Sequence, residues 1–512
     1  MEAGPQGESV SVASMPGPRV RILGGLRDLE PDLQRIPGRW WTAVVAGTYV
    51  VVEAVLLARH VLWRDESQLW LVPRASGSLP ELLDNMNYEN RPILWFLLIW
   101  PMARLCANPD AIKVISLTLS AGVALLVTRL LPLARIEQVV VLGGFLFLIG
   151  YGTGNAGYML GTFLTLVWFV AFSRGRWVIQ LCVEALMAAT HALFLMVALP
   201  LLLLTIMTIA RNWRKVGVAR RVALLGTAGA TIAVFAFSAW LIAPPSDYVY
   251  WSRPQIGLDE LPGRLLRFAG VATRPPNFEV LVDWNVPLLV LSALPLLLIA
   301  VVALSPRRWE VVAPVASLTL LIVNGAIGYS PFWWHTGAVF VTLMLIVLVT
   351  REVATTPWFK APLMWQSMSW WLILAAQVVG TVFLPGSSML GDPPLSGSKA
   401  AAQAITRYCP TKCAVITDDD IVSAGVSAYL GGQPMYHVNT ERWATFVRWD
   451  HRLRDQKTPT WDMIRSALRT NGPSAVAALS TLRDPPADME VLSEPTPSVN
   501  GAERFLVVRS VG

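Results

Sequence analysis

Long apolar runs dominate the first three quarters of the chain, and short polar stretches separate them. Most runs are close to the length that an α-helix needs to cross a bilayer, so they predict a polytopic α-helical membrane protein. The run at 177–210 fits one helix or two short ones, and the prediction is therefore about 11 to 13 transmembrane helices. The runs lie at 40–62, 92–107, 111–131, 138–150, 156–172, 177–210, 222–242, 285–304, 311–329, 337–350 and 367–384.

The pattern changes after residue 384. Residues 385–398 are rich in Pro, Gly and Ser and are predicted to be a linker, and in residues 399–512 short apolar strands alternate with helical segments. This alternation is typical of a small α/β domain. The predicted organisation is a tail at 1–39, a transmembrane domain at 40–384, the linker, and a C-terminal α/β domain.

Charge in the loops predicts the orientation of the chain. Residues 1–39 are polar and lack the short apolar core of a signal peptide, so they are predicted to be a cytoplasmic tail. Residues 211–221 hold five basic residues and no acid, which indicates an inside loop. This places two long loops, at 63–91 and 243–284, and the C-terminal domain outside the cytoplasm.

Composition supports the membrane assignment. The chain has 512 residues, of which 54% are hydrophobic and 15% are charged, whereas soluble domains carry about 25% charged residues. This excludes an ordinary soluble enzyme. The net charge of +7 lies in the membrane part, because residues 385–512 hold 13 basic and 13 acidic residues. It indicates loop topology and anionic lipid, and no nucleic-acid partner is predicted.

Candidate chemistry begins directly after the first predicted helix, where Asp65 and Glu66 are adjacent. Neighbours on a helix point about 100° apart, so one of them would face a substrate while the other contacts a second layer of residues or a metal. From position alone the pair fits either a solvated loop start or a general base in a cavity. Pro92 suits the first turn of the next helix, which places Arg91 at a helix N-terminus, either as a lipid anchor or as a phosphate ligand.

Two histidines and a group of arginines are further candidates. His191 interrupts an apolar run, and His335 follows two tryptophans at the predicted outer end of another. Each fits either a packing or interfacial role or a place in a site. The loop at 243–284 holds arginines that fit lipid headgroups or a phosphate, namely Arg253, Arg264, Arg267 and Arg274.

The C-terminal domain has two clusters of reactive or acidic residues. Cys409 and Cys413 could form a disulfide in an oxidising compartment, whereas a metal site there would need further ligands at typical spacing. The run 418–420 consists of three aspartates after a predicted strand. It fits a helix start with an aspartate as N-cap, or a cation site.

Five short motifs are spread along the chain. They are Asp65-Glu66-Ser67-Gln68-Leu69-Trp70, Tyr88-Glu89-Asn90-Arg91-Pro92-Ile93-Leu94-Trp95, His335-Thr336-Gly337, Ser396-Gly397-Ser398-Lys399 and Phe446-Val447-Arg448-Trp449-Asp450. An Asp-Glu pair after the first helix, a long outside loop and a second helix that opens with proline resemble the GT-C glycosyltransferases, such as protein O-mannosyltransferases and the aminoarabinose transferase that modifies lipid A. The resemblance is strongest over 40–200. The five motifs more closely resemble bacterial membrane proteins of unassigned function.

The resemblance implies a polyprenyl-phosphate sugar donor, an acceptor outside the cytoplasm and a place in a bacterial inner membrane. It implies Asp65 as the catalytic carboxylate, with Glu66 beside it, and it leaves a divalent cation open as a cofactor. Substrate or phosphate would contact Arg91, Tyr88, Glu89, Arg264, Arg267, His335 and His191. Similar proteins tend to have Gly-His where this chain has Asn90-Arg91, and an arginine stays protonated, so Arg91 cannot bind a metal or shuttle a proton as a histidine does.

Two other classes of function fit the same residues. A transporter or lipid-carrier binding protein would use the Arg-rich outer region without glycosyl transfer. A scaffold would bind an envelope partner through the C-terminal domain. The absence of a visible internal repeat and the few charges within the predicted helices favour the enzyme over the transporter.

Overall fold

The structure is a computed structural model that describes residues 38–154, 156–249, 260–265, 299–300, 309–328, 333–353, 360–383 and 393–511. The membrane part is helical. Its helices are α1 (Gly38–Arg59), α2 (Arg64–Ala75), α3 (Leu79–Met86), α4 (Leu94–Leu105), α5 (Ile112–Arg129), α6 (Arg135–Gly143), α7 (Tyr158–Ser173), α8 (Trp177–Ala188), α9 (Ala192–Asn212), α10 (Val218–Ile242), α11 (Trp309–Gly328), α12 (Trp333–Val353) and α13 (Lys360–Phe383).

Six helices of the described part are long and apolar enough to cross a membrane, namely Gly38–Arg59, Pro109–Arg129, Ala192–Lys215, Val218–Ile242, Trp309–Ile327 and His335–Val353. A pair bent by 50°, Arg135–Gly143 with Leu146–Thr153, would make a seventh if it is one span. Helices α4, α7 and α8 are apolar but shorter. The membrane fold is thus confirmed, whereas the count of 11 to 13 stays a prediction, since most of 285–304 lies outside the described residues.

The apolar run at 177–210 forms two helices. Helix α8 ends at Ala188 and α9 begins at Ala192, with His191 in an extended conformation as the N-cap of α9. The imidazole Nδ1 of His191 accepts a hydrogen bond from the backbone N–H of Leu193 at 3.2 Å. This cap satisfies one of the unpaired N–H groups at the start of α9, and it explains why the chain breaks at this polar position.

The loop predicted at 63–91 is mostly helical and partly buried. Helix α2 buries Gln68 and Trp70, and α3 begins after Ser78, whose hydroxyl accepts a hydrogen bond from the N–H of Glu81. The carboxylate of Glu66 accepts a bond from the N–H of Trp63 at 3.2 Å and closes the first turn of α2. This segment therefore forms a folded layer on the helices instead of a solvated loop.

The C-terminal domain contains a six-stranded mixed sheet with helices. Its elements are α14 (Ser398–Tyr408), β1 (Val415–Thr417), α15 (Ala424–Tyr429), β2 (Met435–His437), β3 (Arg442–Ala444), α16 (His451–Arg454), α17 (Trp461–Asn471), β4 (Val476–Leu479), β5 (Met489–Ser493) and β6 (Leu506–Ser510). The strand order is β3-β2-β1-β4-β6-β5, in which β1 pairs in parallel with β2 and β4 and the remaining pairs are antiparallel. The predicted α/β class is confirmed.

Side chains alternate across this sheet and build a core on each face. Val415 and Val476 join the core that includes the inner face of α14, whereas Ile416 and Ala477 join the core beneath α17. This is the period of two that a strand imposes on its side chains. The sheet is therefore covered on both sides, as its apolar central strands require.

The C-terminal domain packs directly on the membrane part. The hydroxyl of Tyr429 accepts a bond from the N–H of Leu62 at 3.0 Å and donates to Asp110 at 3.2 Å, and the ammonium of Lys399 also contacts Asp110, at 2.8 Å. The guanidinium of Arg74 donates to the carbonyl of Gly431 at 3.3 Å. The contacts of Leu62 and Arg74 join the domain to the segment that carries Asp65, and those of Asp110 join it to the start of α5.

Candidate functional site

Asp65 lies in the first turn of α2, and 35% of its side-chain surface is exposed. The guanidinium of Arg64 is 3.4 Å from its Oδ1. Desolvation by the surrounding atoms raises the pKa of Asp65, although Arg64 and Arg91 both act to lower it. A carboxylate whose pKa is raised holds a proton more readily, which suits a general base.

Glu66 occupies a different environment from its neighbour. It is 1% exposed, and its Oε2 lies 2.7 Å from Nε2 of His60 and accepts the N–H of Trp63. The contact with His60 holds the start of α2 to the end of α1, and the contact with Trp63 closes the first turn of α2. The structure therefore places only Asp65 of the adjacent pair where a substrate could reach it.

Glu89 and Arg91 come to Asp65 from the segment between α3 and α4. Asn90 adopts a left-handed conformation with φ of 51°, which turns the chain between these two residues. Glu89 Oε1 accepts a bond from Nε2 of Gln68 at 2.6 Å, and Arg91 is near enough to both carboxylates to lower the pKa of each. We call Asp65, Glu89 and Arg91 the Asp65 site.

Glu89 is the second acid of the Asp65 site. Its pKa is raised to about 7, chiefly by desolvation and also by the charge of Asp65, against the opposing effects of Gln68 and Arg91. Two acids held close together do not ionise at the same pH, because each negative charge disfavours the other. At neutral pH the site can therefore contain one carboxylate and one carboxyl group that still exchanges a proton.

The two predicted histidines are close enough to influence one another electrostatically. Both the Arg91 charge and His335 act electrostatically on His191, and the ring of Tyr158 lies 4.9 Å from the His191 ring. Because Nδ1 of His191 accepts a backbone bond, a neutral imidazole carries its proton on Nε2. The backbone N–H of Leu94 donates to the carbonyl of Ala189 at 2.8 Å and joins the start of α4 to the break before α9.

The guanidinium of Arg91 retains hydrogen-bonding capacity. Its buried Nη1 has no hydrogen-bond partner among the described residues, and the same is true of Nε1 of Trp95, one turn along the chain. Both atoms are donors only. An unpaired charged donor of this kind is suited to an anion such as phosphate.

The other predicted contacts are placed differently. Tyr88 donates to both oxygens of Asp247 at 3.0 Å, and the guanidinium of Arg448 lies 4.7 Å from its ring centroid. Tyr88 therefore joins three segments at the edge of the site. Arg264 is 3.5 Å from Glu260 and half-exposed, in a short described segment. Arg253, Arg267 and Arg274 lie outside the described residues.

The polar clusters of the C-terminal domain are satisfied internally. Asp418 accepts the N–H groups of residues 480–482, Asp419 caps the turn that follows it, and Asp420 contacts His437 and Arg442. Cys409 and Cys413 are free thiols in contact with one another. Across the described ranges, no group of three or more His, Cys, Asp or Glu side chains is arranged to hold a metal ion.

Gln68 was not among the site residues predicted from the sequence. Its amide bonds both Glu89 and the backbone of Val447, a residue 379 positions away. Gln68 and Val447 each belong to one of the five motifs, and that was the available signal. Spacing along the chain gives no means of pairing them.

Comparison with known proteins finds a structural likeness. No protein-family model matches the chain, and no curated protein matches it. The chain is similar to the crystal structure of ArnT from Cupriavidus metallidurans in the apo state, with 16% sequence identity and a TM-score of 0.48. The likeness covers 92% of this chain and 98% of that one. At this level of similarity it carries no information on substrates or catalytic residues.

Proposed function

We propose that this protein is a membrane glycosyltransferase of the GT-C type that moves a sugar from a polyprenyl-phosphate donor to an acceptor outside the cytoplasm. The observation that carries the proposal is the Asp65 site itself. A partly buried carboxylate, a second acid with a pKa of about 7 and a guanidinium with a free donor come together from two segments of the chain. The motif resemblance over the membrane part supports the same reading.

The reaction needs a base on one side of the sugar and cations on the other. The acceptor hydroxyl oxygen bonds to the anomeric carbon, and the bond from that carbon to the donor phosphate oxygen breaks. The bonding electron pair leaves with the polyprenyl phosphate, and the hydroxyl proton passes to Asp65. Arg91 stabilises the phosphate as its charge develops, because a guanidinium matches two phosphate oxygens at once.

The remaining residues have supporting parts in this proposal. Neutral His191 carries a donor on Nε2 that could serve the phosphate, and His335 is close enough to act on it electrostatically. Glu89 interacts electrostatically with both Asp65 and Arg91, so gain or loss of its proton adjusts the net charge of the site. Glu66 is a positioning residue, since its bonds to His60 and Trp63 hold the turn on which Asp65 lies.

The proposal predicts the behaviour of Asp65→Asn. The variant keeps the size and loses the base, so transfer should fall by about 10²- to 10⁴-fold, while its thermal unfolding stays near that of the wild type. The assay uses protein in nanodiscs with synthetic polyprenyl-phosphate pentoses and hexoses, and mass spectrometry of the released polyprenyl phosphate. Asp455→Asn is the control, because Asp455 lies on the surface of the C-terminal domain and pairs only with Arg454 among the contacts described for it.

Binding of polyprenyl phosphate distinguishes the other classes. Arg91→Ala should weaken its binding to nanodisc-bound protein, whether or not transfer is measured. Wild-type transfer by Asp65→Asn would contradict the enzyme and favour a transporter or carrier-binding protein. A wild-type protein that neither binds polyprenyl phosphate nor transfers sugar would favour the scaffold.

A further inference from the structure

The amide of Gln68 is fully engaged between two parts of the molecule. Gln68 is 5% exposed, and its Nε2 donates to Glu89 Oε1 at 2.6 Å and to the carbonyl of Val447 at 2.7 Å. Its Oε1 accepts the N–H of Val447 at 2.9 Å. A primary amide supplies two donors and an acceptor without charge, which is what this position uses. No other uncharged side chain of this size offers that set.

Val447 is held by a rigid part of the C-terminal domain. The guanidinium of Arg442 donates to the carbonyl of Arg448 at 3.2 Å and contacts Asp450 at 3.3 Å, so it fixes the chain on the far side of Val447. The same guanidinium contacts Asp420 at 2.9 Å. The carbonyl of Trp449 accepts the N–H of Val249 at 2.9 Å, which ties the start of the loop after α10 to this segment. We call residues 446–450 the docking segment.

The position of Gln68 on α2 connects the docking segment to Asp65. Gln68 follows Asp65 by three residues, and helical residues three apart lie on the same side of the helix. The two bonds from Gln68 to Val447 therefore limit how far α2 can rotate about its axis, and that rotation decides where Asp65 points. The third bond orders the carboxyl group of Glu89 directly.

We propose that Gln68 is a positioning residue, through which the docking segment of the C-terminal domain fixes Asp65 and Glu89 in the orientation needed for transfer. The inference rests on the proposed function and deepens it, because it makes the C-terminal domain part of the same site. It assigns that domain a role in catalysis that does not require it to bind the sugar.

The test compares Gln68→Leu and Gln68→Glu with Lys399→Met. Leucine makes none of the three bonds, and glutamate retains only the bond from the Val447 N–H. Lys399→Met removes a different contact between the C-terminal domain and the membrane part, the one to Asp110, and it touches nothing in the Asp65 site. Hydrogen exchange of a peptide that covers 446–450 then reports whether the docking segment has loosened.

Two readouts separate positioning from a loss of fold. The first is kcat with a polyprenyl-phosphate sugar, which should fall at least tenfold in both Gln68 variants and change little in Lys399→Met. The second is the pH titration of the Glu89 carboxyl band by infrared difference spectroscopy, identified by its absence in Glu89→Gln. Because Gln68 lowers the pKa of Glu89, its removal should move the midpoint to higher pH.

Each outcome decides the proposal. A lowered kcat with a raised midpoint in either Gln68 variant supports it. An unchanged midpoint overturns it, and so does a raised midpoint with wild-type kcat, since the contact would then exist without serving catalysis. If the wild-type protein transfers no sugar, the proposed function and this inference both fail. If the midpoint of Glu89 nevertheless moves in the Gln68 variants, the contact exists and the proposed function is what was wrong.

Discussion

Glu503 is a buried acid at the junction between the C-terminal domain and α2. Its side chain is 0% exposed, and its Oε1 accepts the N–H of Arg64 at 3.2 Å and the amide of Asn500 at 2.8 Å. Desolvation raises its pKa to about 7, against the opposing effects of Ser396 and Arg64. Replacing it by glutamine keeps the acceptor for both N–H groups and removes the titratable charge.

The sign of the effect follows from proton linkage. The folded protein holds the Glu503 proton up to about pH 7, whereas the unfolded chain releases it near its ordinary pKa of 4.5. The free energy of unfolding therefore falls as the pH rises between these values and stays low above them. At about 1.36 kcal/mol for each pKa unit, the buried charge costs about 3 kcal/mol at pH 8 and about 1 kcal/mol at pH 5.

Glu503→Gln should accordingly stabilise the protein more at pH 8 than at pH 5. Thermal unfolding followed by tryptophan fluorescence measures this, and the rise in the midpoint at pH 8 should exceed that at pH 5 by about 5 °C or more. Glu494→Gln, an exposed position in the same domain, is the control. Equal shifts at the two pH values, or a lower midpoint at pH 8, would refute the reasoning.

Two further predictions concern the Asp418 carboxylate, which accepts several backbone N–H groups in the C-terminal domain, and the close packing of α7 at Gly161. Asp418→Asn should lower the free energy of unfolding of the C-terminal domain by about 3 kcal/mol, because several donors lose a charged acceptor, and a faster rate of limited proteolysis after residue 393 would show it. Gly161→Ala should destabilise the membrane part by about 1–3 kcal/mol, because its Cβ would lie 2.2 Å from the ring of Phe194 in α9. Gly226→Ala, whose Cβ would meet nothing within 4 Å, should be neutral in the same thermal unfolding assay.

Hydropathy was sufficient to predict much of the membrane fold. A spanning helix must satisfy its backbone internally and present apolar side chains to lipid, so α1, α5, α10 and α11 each follow from composition alone. The same signal could not decide the break between α8 and α9, since residues on both sides are apolar. The polar pair Thr190-His191 marked the place, but only the cap from His191 to Leu193 shows that the helix ends there.

The candidate site was predictable in its residues and not in its arrangement. Asp65 and Arg91 were recognisable because their motifs resemble a family and lie at the end of one predicted spanning helix and the start of the next. Which member of the Asp65-Glu66 pair faces outward depends on His60, which binds the Glu66 carboxylate. No local sequence pattern predicts that contact. The bond between Gln68 and Val447 joins two domains, and a long-range contact of this kind is fixed by the tertiary fold and not by local propensity.

The C-terminal sheet also indicates how its domain contributes. Strand β1 lies between the parallel strands β2 and β4, and sheets of this topology commonly bind ligands at the carboxyl end of such a central strand. Here Asp418 occupies that position, and its carboxylate takes the N–H groups of 480–482 that would otherwise be offered to an anion. Those donors are already satisfied within the domain. This domain contacts α2 through Glu503 at Arg64 and through the docking segment at Gln68, and Gln68 also bonds Glu89 of the Asp65 site. Its part in the proposed transfer is therefore better sought in Val447 and Gln68 than at the end of its sheet.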